Sequence, residues 1–182
     1  MDPRIQLSFE RMDIQADISH IERIFSTGVL SQSSQMGHPL KGAAFVMLLI
    51  HLRNLMYKAE KHGTRIDFKD DVIPSDPGVK PKVEDVTDLV KFVRDAICHP
   101  DIDHHYVIPQ IKSSFSTIYG KMTVPMFVMM GQAVGPSSDY DDDIAFCFGQ
   151  QRIYLVRHIY RAFDEAKKIL EPIINPPDVL DN

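Results

Sequence analysis

Residues 40–62 read LKGAAFVMLLIHLRNLMYKAEKH, and this stretch decides the fold. Its large apolar side chains recur at helical spacing, at Phe45, Leu48, Leu49, Leu52, Met56 and Ala59. The apolar sector is widened well beyond the stripe of a surface helix by Ala43, Val46, Met47 and Ile50. The sequence therefore predicts a long helix in the middle of a helical bundle, with Gly63 placed to end it.

Three further helices and a β insertion are predicted around that central helix. The other helices are expected at residues 15–29, 83–99 and 157–171, followed by a proline-rich tail at 172–182. Residues 106–156 contain short alternating segments that predict two β-hairpins, one around Gly120 and one around Gly149. We therefore expect residues 1–182 to form one mainly α domain, a helical bundle with a small β-hairpin insertion before the last helix.

Composition and charge exclude several classes of protein. The chain has 182 residues, of which 44% are hydrophobic, so it can bury a sizeable core. Its 25 acidic residues outnumber its 20 basic ones, which argues against holding duplex DNA through the overall field. No apolar run reaches the roughly 18 residues of a membrane span, and MDPRIQLSFERMD lacks the apolar core of a signal peptide. Two cysteines, Cys98 and Cys147, fit a reducing compartment, so we expect a cytoplasmic protein with no membrane contact.

The histidine, arginine and aspartate residues that could act in catalysis or bind a metal are concentrated in RDAICHPDIDHH, residues 94–105. One interpretation is a metal site, because imidazoles and carboxylates are ligands for Zn, Mn or Fe. Its ligands would be His99, Asp101, Asp103, His104 and His105, and the protein would be a metal-dependent hydrolase. Metal ligands usually come from several separate elements, however, and a single loop of this composition is more typical of a solvated turn. We therefore expect neither a metal nor a cofactor.

A second interpretation uses Arg94, Asp95 and His99 at the end of the third helix, where Pro100 disfavours further helical geometry. Asp95 and His99 stand at i and i+4, so they share a helical face, can pair, and would favour the imidazolium. Arg94 and His99 lie about 140° apart around an ideal helix. The guanidinium of Arg94 could bind a phosphate through two hydrogen bonds, and the imidazole of His99 could transfer protons. This set is sufficient to cleave RNA, because the 2′-hydroxyl is an internal nucleophile.

The segment R-D-A-I-C-H resembles the Arg-polar-x-x-x-His form of the Rx4–6H motif of the HEPN superfamily, helical proteins many of which are ribonucleases. The later stretch DDDIAFCFGQQRIYLVRHIYRAF is also similar to segments of some bacterial HEPN proteins, and the resemblance covers about residues 40–170. It implies a homodimer in which Arg94 and His99 of two protomers meet in a cleft and cut RNA without a metal, with Asp95 orienting His99. It also implies a defence or toxin–antitoxin setting, with an antitoxin or another protein as partner.

Alternatives remain for the motif and for its neighbours. Arg152 and His158 also fit the motif spacing, but Ile153 follows the arginine, which lies in a predicted strand that leads into a helix. One alternative is a non-catalytic HEPN dimer acting as a binding or regulatory module. Another is that Arg94 forms only a surface salt bridge with Asp95 or Asp88 and that His99 only complements the helix dipole. The acidic cluster in PSSDYDDD is expected to be a solvated loop.

Overall fold

The computed structural model describes residues 2–31, 38–75, 82–99, 106–108, 111–112, 115–129 and 132–176. Its helices are α1 (Pro3–Ser26), α2 (Lys41–Lys61), α3 (Val86–Cys98), a π-helix (Leu155–Tyr160) and α4 (Arg161–Ile174). Its strands are β1 (Tyr106–Ile108), β2 (Ile111–Lys112), β3 (Ser116–Tyr119), β4 (Met122–Thr123), β5 (Phe127–Met129), β6 (Gln132–Val134), β7 (Ser137–Ser138), β8 (Ile144–Phe148) and β9 (Gln151–Tyr154). The described chain is mainly helical with small antiparallel sheets, as the sequence predicts. None of the helices in these ranges has the length and apolar character needed to cross a membrane.

The central position predicted for α2 is confirmed. This helix packs against α1, α3 and α4, and its apolar side chains from Phe45 to Ala59 supply much of the buried core. Burial of a leucine or phenylalanine side chain contributes about 1.5–3 kcal/mol, so the stability of the fold depends strongly on this helix. A buried carboxylate also joins α1 to α2, because Asp17 accepts hydrogen bonds from His51 Nδ1 (2.8 Å) and Lys58 Nζ (2.6 Å).

Helices α2 and α3 run antiparallel, and this arrangement positions the candidate site. Arg65, just beyond the end of α2, binds Asp85 and Asp88 at the start of α3. At the opposite end, Phe45 near the start of α2 and Ile97 near the end of α3 line the same cavity. The middle of α2 therefore lies alongside the last two turns of α3.

Helix boundaries differ from the prediction at both ends of the chain. The first helix starts at Pro3, well before the predicted residue 15. The last helix passes through Pro172 and ends at Ile174, although we expected Pro172 to close it. Proline removes one backbone hydrogen bond, but Ile173 and Ile174 still pack against the core, and their burial offsets that loss.

The β insertion is only partly as predicted. The hairpin around Gly149 is confirmed, because β8 and β9 pair antiparallel on either side of it. The hairpin around Gly120 is wrong: β3 pairs with β8, and β4 pairs with β7. Every residue of β8 is buried, so this strand is the central one of its sheet and needs a neighbour on each side.

The acidic cluster expected to be solvated contains one buried member that organises the fold. Asp139, Asp141 and Asp142 are exposed, whereas Asp143 is buried. The carboxylate of Asp143 accepts hydrogen bonds from the backbone N–H groups of Val156 (2.9 Å) and Arg157 (3.1 Å). The first N–H groups of a helix lack partners within it, and Asp143 satisfies two of those of the π-helix.

Candidate functional site

Arg94 and Asp95 lie on the solvent side of α3, one turn before its end. The opposite face of α3 is buried through Leu89, Val90, Val93 and Ala96, so the two charged side chains face outward. Their side chains are 37% and 22% exposed, and Arg94 Nη2 donates a hydrogen bond to Asp95 Oδ1. The carboxylate predicted to orient His99 is therefore bonded to Arg94 instead.

His99 is the residue at which α3 ends. Its backbone N–H donates to the carbonyl of Asp95 (2.9 Å), and its φ of −129° and ψ of 81° take the chain out of helical geometry. The side chain is exposed and has no hydrogen bond within the described part of the chain. Its imidazole is free to meet a ligand or a second protomer, but nothing in the described part of this protomer brings it against Arg94.

Arg53 of α2 is a member of the site that the sequence analysis missed. It lies within electrostatic range of both Arg94 and Asp95 because α2 and α3 pack antiparallel. Burial is the main cause that lowers the pKa of Arg53; Glu60 opposes that change and the positive charge of Arg94 adds to it. The only hint in the sequence is a charged residue inside a long apolar run, and no local pattern places it beside Arg94.

Two nitrogen atoms of this arginine pair (Arg53 and Arg94) are buried without a hydrogen-bond partner among the described residues. They are Arg53 Nη1 and Arg94 Nε. A buried guanidinium N–H without an acceptor is unfavourable by about 1–3 kcal/mol, and such groups commonly mark the position of a missing ligand or water. The arginine pair therefore offers donors to an anion.

The surroundings of the arginine pair contain several carboxylates as well as Arg65. Arg65 is bonded to Asp85 through Nε (3.0 Å), to Asp88 through Nη2 (2.8 Å) and to Glu60 through Nη1 (3.3 Å). Its hydrogen bonds with Asp85 raise the pKa of Arg65, so those carboxylates are engaged. Asp95 is bonded to Arg94, and these four carboxylates outnumber the three guanidinium groups. The arginine pair can therefore bind an anion through its donors that lack partners among the described residues, and not through an excess of positive charge.

A row of apolar side chains on α2 is turned away from the core beside this site. Met47 and Tyr57 are 46% and 58% exposed, Ala43 is exposed, and Val46 and Ile50 are half-buried outside the core cluster. We call Ala43, Val46, Met47, Ile50 and Tyr57 the α2 stripe. Arg53 lies along its edge, with its guanidinium carbon 5.8 Å from the centre of the Tyr57 ring.

The alternative metal loop falls almost entirely outside the described residues. Asp101, Asp103, His104 and His105 belong to that undescribed part, and His99 alone is described. Within the described ranges, no group of three or more histidine, cysteine, aspartate or glutamate side chains is placed to hold a metal ion.

The second Arg–His spacing, Arg152 and His158, has a structural role. Arg152 binds Asp139 and the hydroxyl of Ser137, linking β9 to β7 and to the residue that follows β7. His158 is fully buried: its Nδ1 accepts from the Tyr154 N–H (3.0 Å), and its Nε2 donates to the Asp70 carbonyl (3.0 Å). Burial lowers the pKa of His158, which keeps the imidazole neutral.

Comparisons of this chain with protein-family models, with curated protein sequences and with solved structures found no match.

Proposed function

We propose that this protein is a metal-independent endoribonuclease of the HEPN type, in which Arg94 of one protomer and His99 of a second act on the same phosphodiester. The observation that carries the proposal is the arginine pair. Arg53 and Arg94 interact electrostatically, and each has a buried N–H donor without a partner among the described residues. Arg94 lies about one turn before the exposed His99 on α3. Phosphate binding and proton transfer are the two functions that RNA cleavage requires from a protein.

The chemistry follows from the RNA itself. The 2′-oxygen attacks the adjacent phosphorus while His99 takes the 2′-hydroxyl proton. The bond from phosphorus to the 5′-oxygen breaks, and that oxygen takes up a proton from the imidazolium or from water. The products are a 2′,3′-cyclic phosphate and a 5′-hydroxyl. Arg94 and Arg53 stabilise the negative charge on the phosphoryl oxygens, and Asp95 is a positioning residue that holds the Arg94 guanidinium.

A homodimer supplies the geometry that one protomer lacks. Arg94 and His99 lie on different sides of the end of α3, so a second copy is needed to bring a histidine to each arginine. The α2 stripe is the surface through which we propose that the copies meet, since it is apolar and borders Arg53. A stable interface of this kind buries more than about 2,000 Å² in total.

A second candidate is a dimer that binds RNA or a protein without cleaving either. The bond between Arg94 and Asp95 favours it, because a guanidinium already engaged by a carboxylate has fewer donors for phosphate. The two candidates share the arginine pair and differ in the role of His99, which is needed for cleavage and not for binding.

The test compares two histidines in matched positions. His99 ends α3 and His62 ends α2, so His99→Ala and His62→Ala each remove an imidazole from a helix end. His62 also bonds to Glu10 (3.1 Å), so the unfolding free energy of both variants is measured alongside their activity. General acid–base catalysis contributes about 10²–10⁴-fold, so His99→Ala should lower RNA cleavage by that factor and His62→Ala should leave it within twofold. EDTA should leave cleavage unchanged, and the products should carry 2′,3′-cyclic phosphates. Binding of RNA without any cleavage would favour the binding module, and activity restored to EDTA-treated protein by Zn or Mn would favour the metal loop.

A further inference from the structure

We propose that the cavity between the start of α2 and the end of α3 holds one base of the bound RNA by stacking, next to the phosphate on the arginine pair. This inference rests on the proposed function and adds the way in which the substrate is held. The cavity has a volume of about 220 Å³ and is lined by Gly42, Phe45, Val46, Ala96, Ile97, Phe115 and Phe148.

The shape and lining of the cavity suit a flat aromatic ligand. Phe115 is 37% exposed, and its ring lies 5.0 Å from that of Phe148 at an angle of 30°. Phe45 lies 5.6 Å from Phe115 at 20°. Phe45 and Phe148 are buried and pack against Phe115, so Phe115 supplies the ring face that is open to a ligand. Stacking on aromatic side chains is how proteins hold unpaired bases. The volume is below the roughly 300–1,000 Å³ of pockets for drug-sized ligands, which limits the occupant to a single small ring system.

The position of the cavity relative to the arginine pair selects a nucleotide as the occupant. Ile97 follows Arg94 by three residues, so the two side chains are neighbours on the same side of α3. A nucleotide carries a base and a phosphate on the same sugar. An apolar cavity beside the Arg94 guanidinium, whose Nε lacks a partner among the described residues, therefore matches its two ends, one by stacking and one by charge.

Gly42 lies at the open side of the cavity, and a larger side chain at this position should fill the cavity. It lies in the first turn of α2, and a Cβ placed there meets no atom within 4 Å. Leucine has a better helical propensity than glycine, so Gly42→Leu should fill the cavity without weakening the helix. Phe115→Ala removes the exposed stacking ring and tests the same site by a different change.

The experiment measures RNA binding, so its result does not depend on RNA cleavage. In full-length protein carrying His99→Ala, fluorescence anisotropy compares a short single-stranded RNA with an abasic oligomer that has the same sugar–phosphate backbone. The parent protein should prefer the base-bearing RNA by about 5- to 150-fold, the value of one aromatic stacking contact. Gly42→Leu and Phe115→Ala should abolish that preference and leave the affinity for the abasic oligomer unchanged. Arg94→Met should weaken the binding of both oligomers equally.

Two results would overturn the base site. One is an unchanged base preference in both cavity variants. The other is a parent protein that binds the base-bearing and abasic oligomers equally; a shift of Gly42→Leu toward monomer in light scattering would then show that a side chain of a second copy occupies the cavity. Failure of the proposed function appears separately, as a wild-type protein that cuts no RNA.

Discussion

Replacement of Arg53 by methionine should stabilise the folded protein and weaken its action on RNA. The guanidinium is half-buried, and its Nη1 is buried without an acceptor among the described residues. Burial and the nearby charge of Arg94 lower the pKa of Arg53, which shows that its charged form is disfavoured in the folded state. Methionine keeps most of the length of the side chain and removes the unmet donors.

The expected magnitudes follow from these contacts. An unmet buried donor is unfavourable by about 1–3 kcal/mol, and the partial exposure of Arg53 puts the gain at the lower end, about 1 kcal/mol. A hydrogen bond to a charged phosphate is worth about 1.5–3 kcal/mol, so the KM for RNA should rise by roughly 10- to 150-fold. Urea unfolding measures the first quantity, and initial cleavage rates over a range of RNA concentrations measure the second.

Arg161→Met is the matched control for Arg53→Met. Arg161 is exposed and bonded to Asp70 and Glu165, far along the chain from the site, and its loss should change stability by less than about 0.5 kcal/mol and leave KM unchanged. An Arg53→Met protein that is less stable than wild type and has an unchanged KM would refute the reasoning, because Arg53 would then be a structural residue.

Three further predictions concern the fold and the interface. Because burial lowers the pKa of His158, the unfolded chain binds its proton more readily. The contribution of neutral His158 to the free energy of unfolding should therefore be fully present above about pH 6.5 and should decrease as the pH falls below that value. His158→Gln should flatten this pH dependence in urea titrations. Asp143→Ala removes the acceptor of the Val156 and Arg157 backbone N–H groups at the start of the π-helix, while Asp142 still pairs with the Arg157 guanidinium, and should lower the unfolding free energy by about 1–3 kcal/mol in the same assay. Ile50→Asp on the α2 stripe should convert the dimer to a folded monomer in light scattering, with circular dichroism unchanged; a dimer that persists would place the interface elsewhere.

Local patterns predicted α2 and α3 well, because apolar spacing reports which face of a helix is buried, but they missed the start of α1 and the end of α4. The central position of α2 follows from its wide apolar sector, and the end of α3 follows from Pro100 after His99. Strand pairing depends on which strand lies in the middle of the sheet with a neighbour on each side. That position is not a local property of the sequence. β8 is buried throughout, and it takes β3 as its second neighbour, which no pattern around Gly120 could indicate.

The candidate site was predicted on α3 but not across the helix interface. Arg94, Asp95 and His99 were found from their spacing, whereas Arg53 comes from α2 through antiparallel packing. The hydrogen bond between Asp95 and Arg94 could not be predicted from the sequence either. On an ideal helix it faces His99, but Arg94 is its immediate neighbour and its guanidinium reaches the carboxylate first, while His99 leaves helical geometry.

The most direct test of the account is a mixture of two inactive variants. Arg94→Ala protein retains His99, and His99→Ala protein retains Arg94. If the two residues act on one phosphodiester from different protomers, co-refolding the variants in equal amounts gives mixed dimers in which one arginine and one histidine still meet. The account predicts that cleavage of RNA by the mixture rises well above that of either variant alone, toward about a quarter of the wild-type rate, because random pairing makes about half of the dimers mixed and one of the two composite sites in each mixed dimer is intact. A mixture no more active than its components, beside a wild type that cuts RNA, would contradict the composite site.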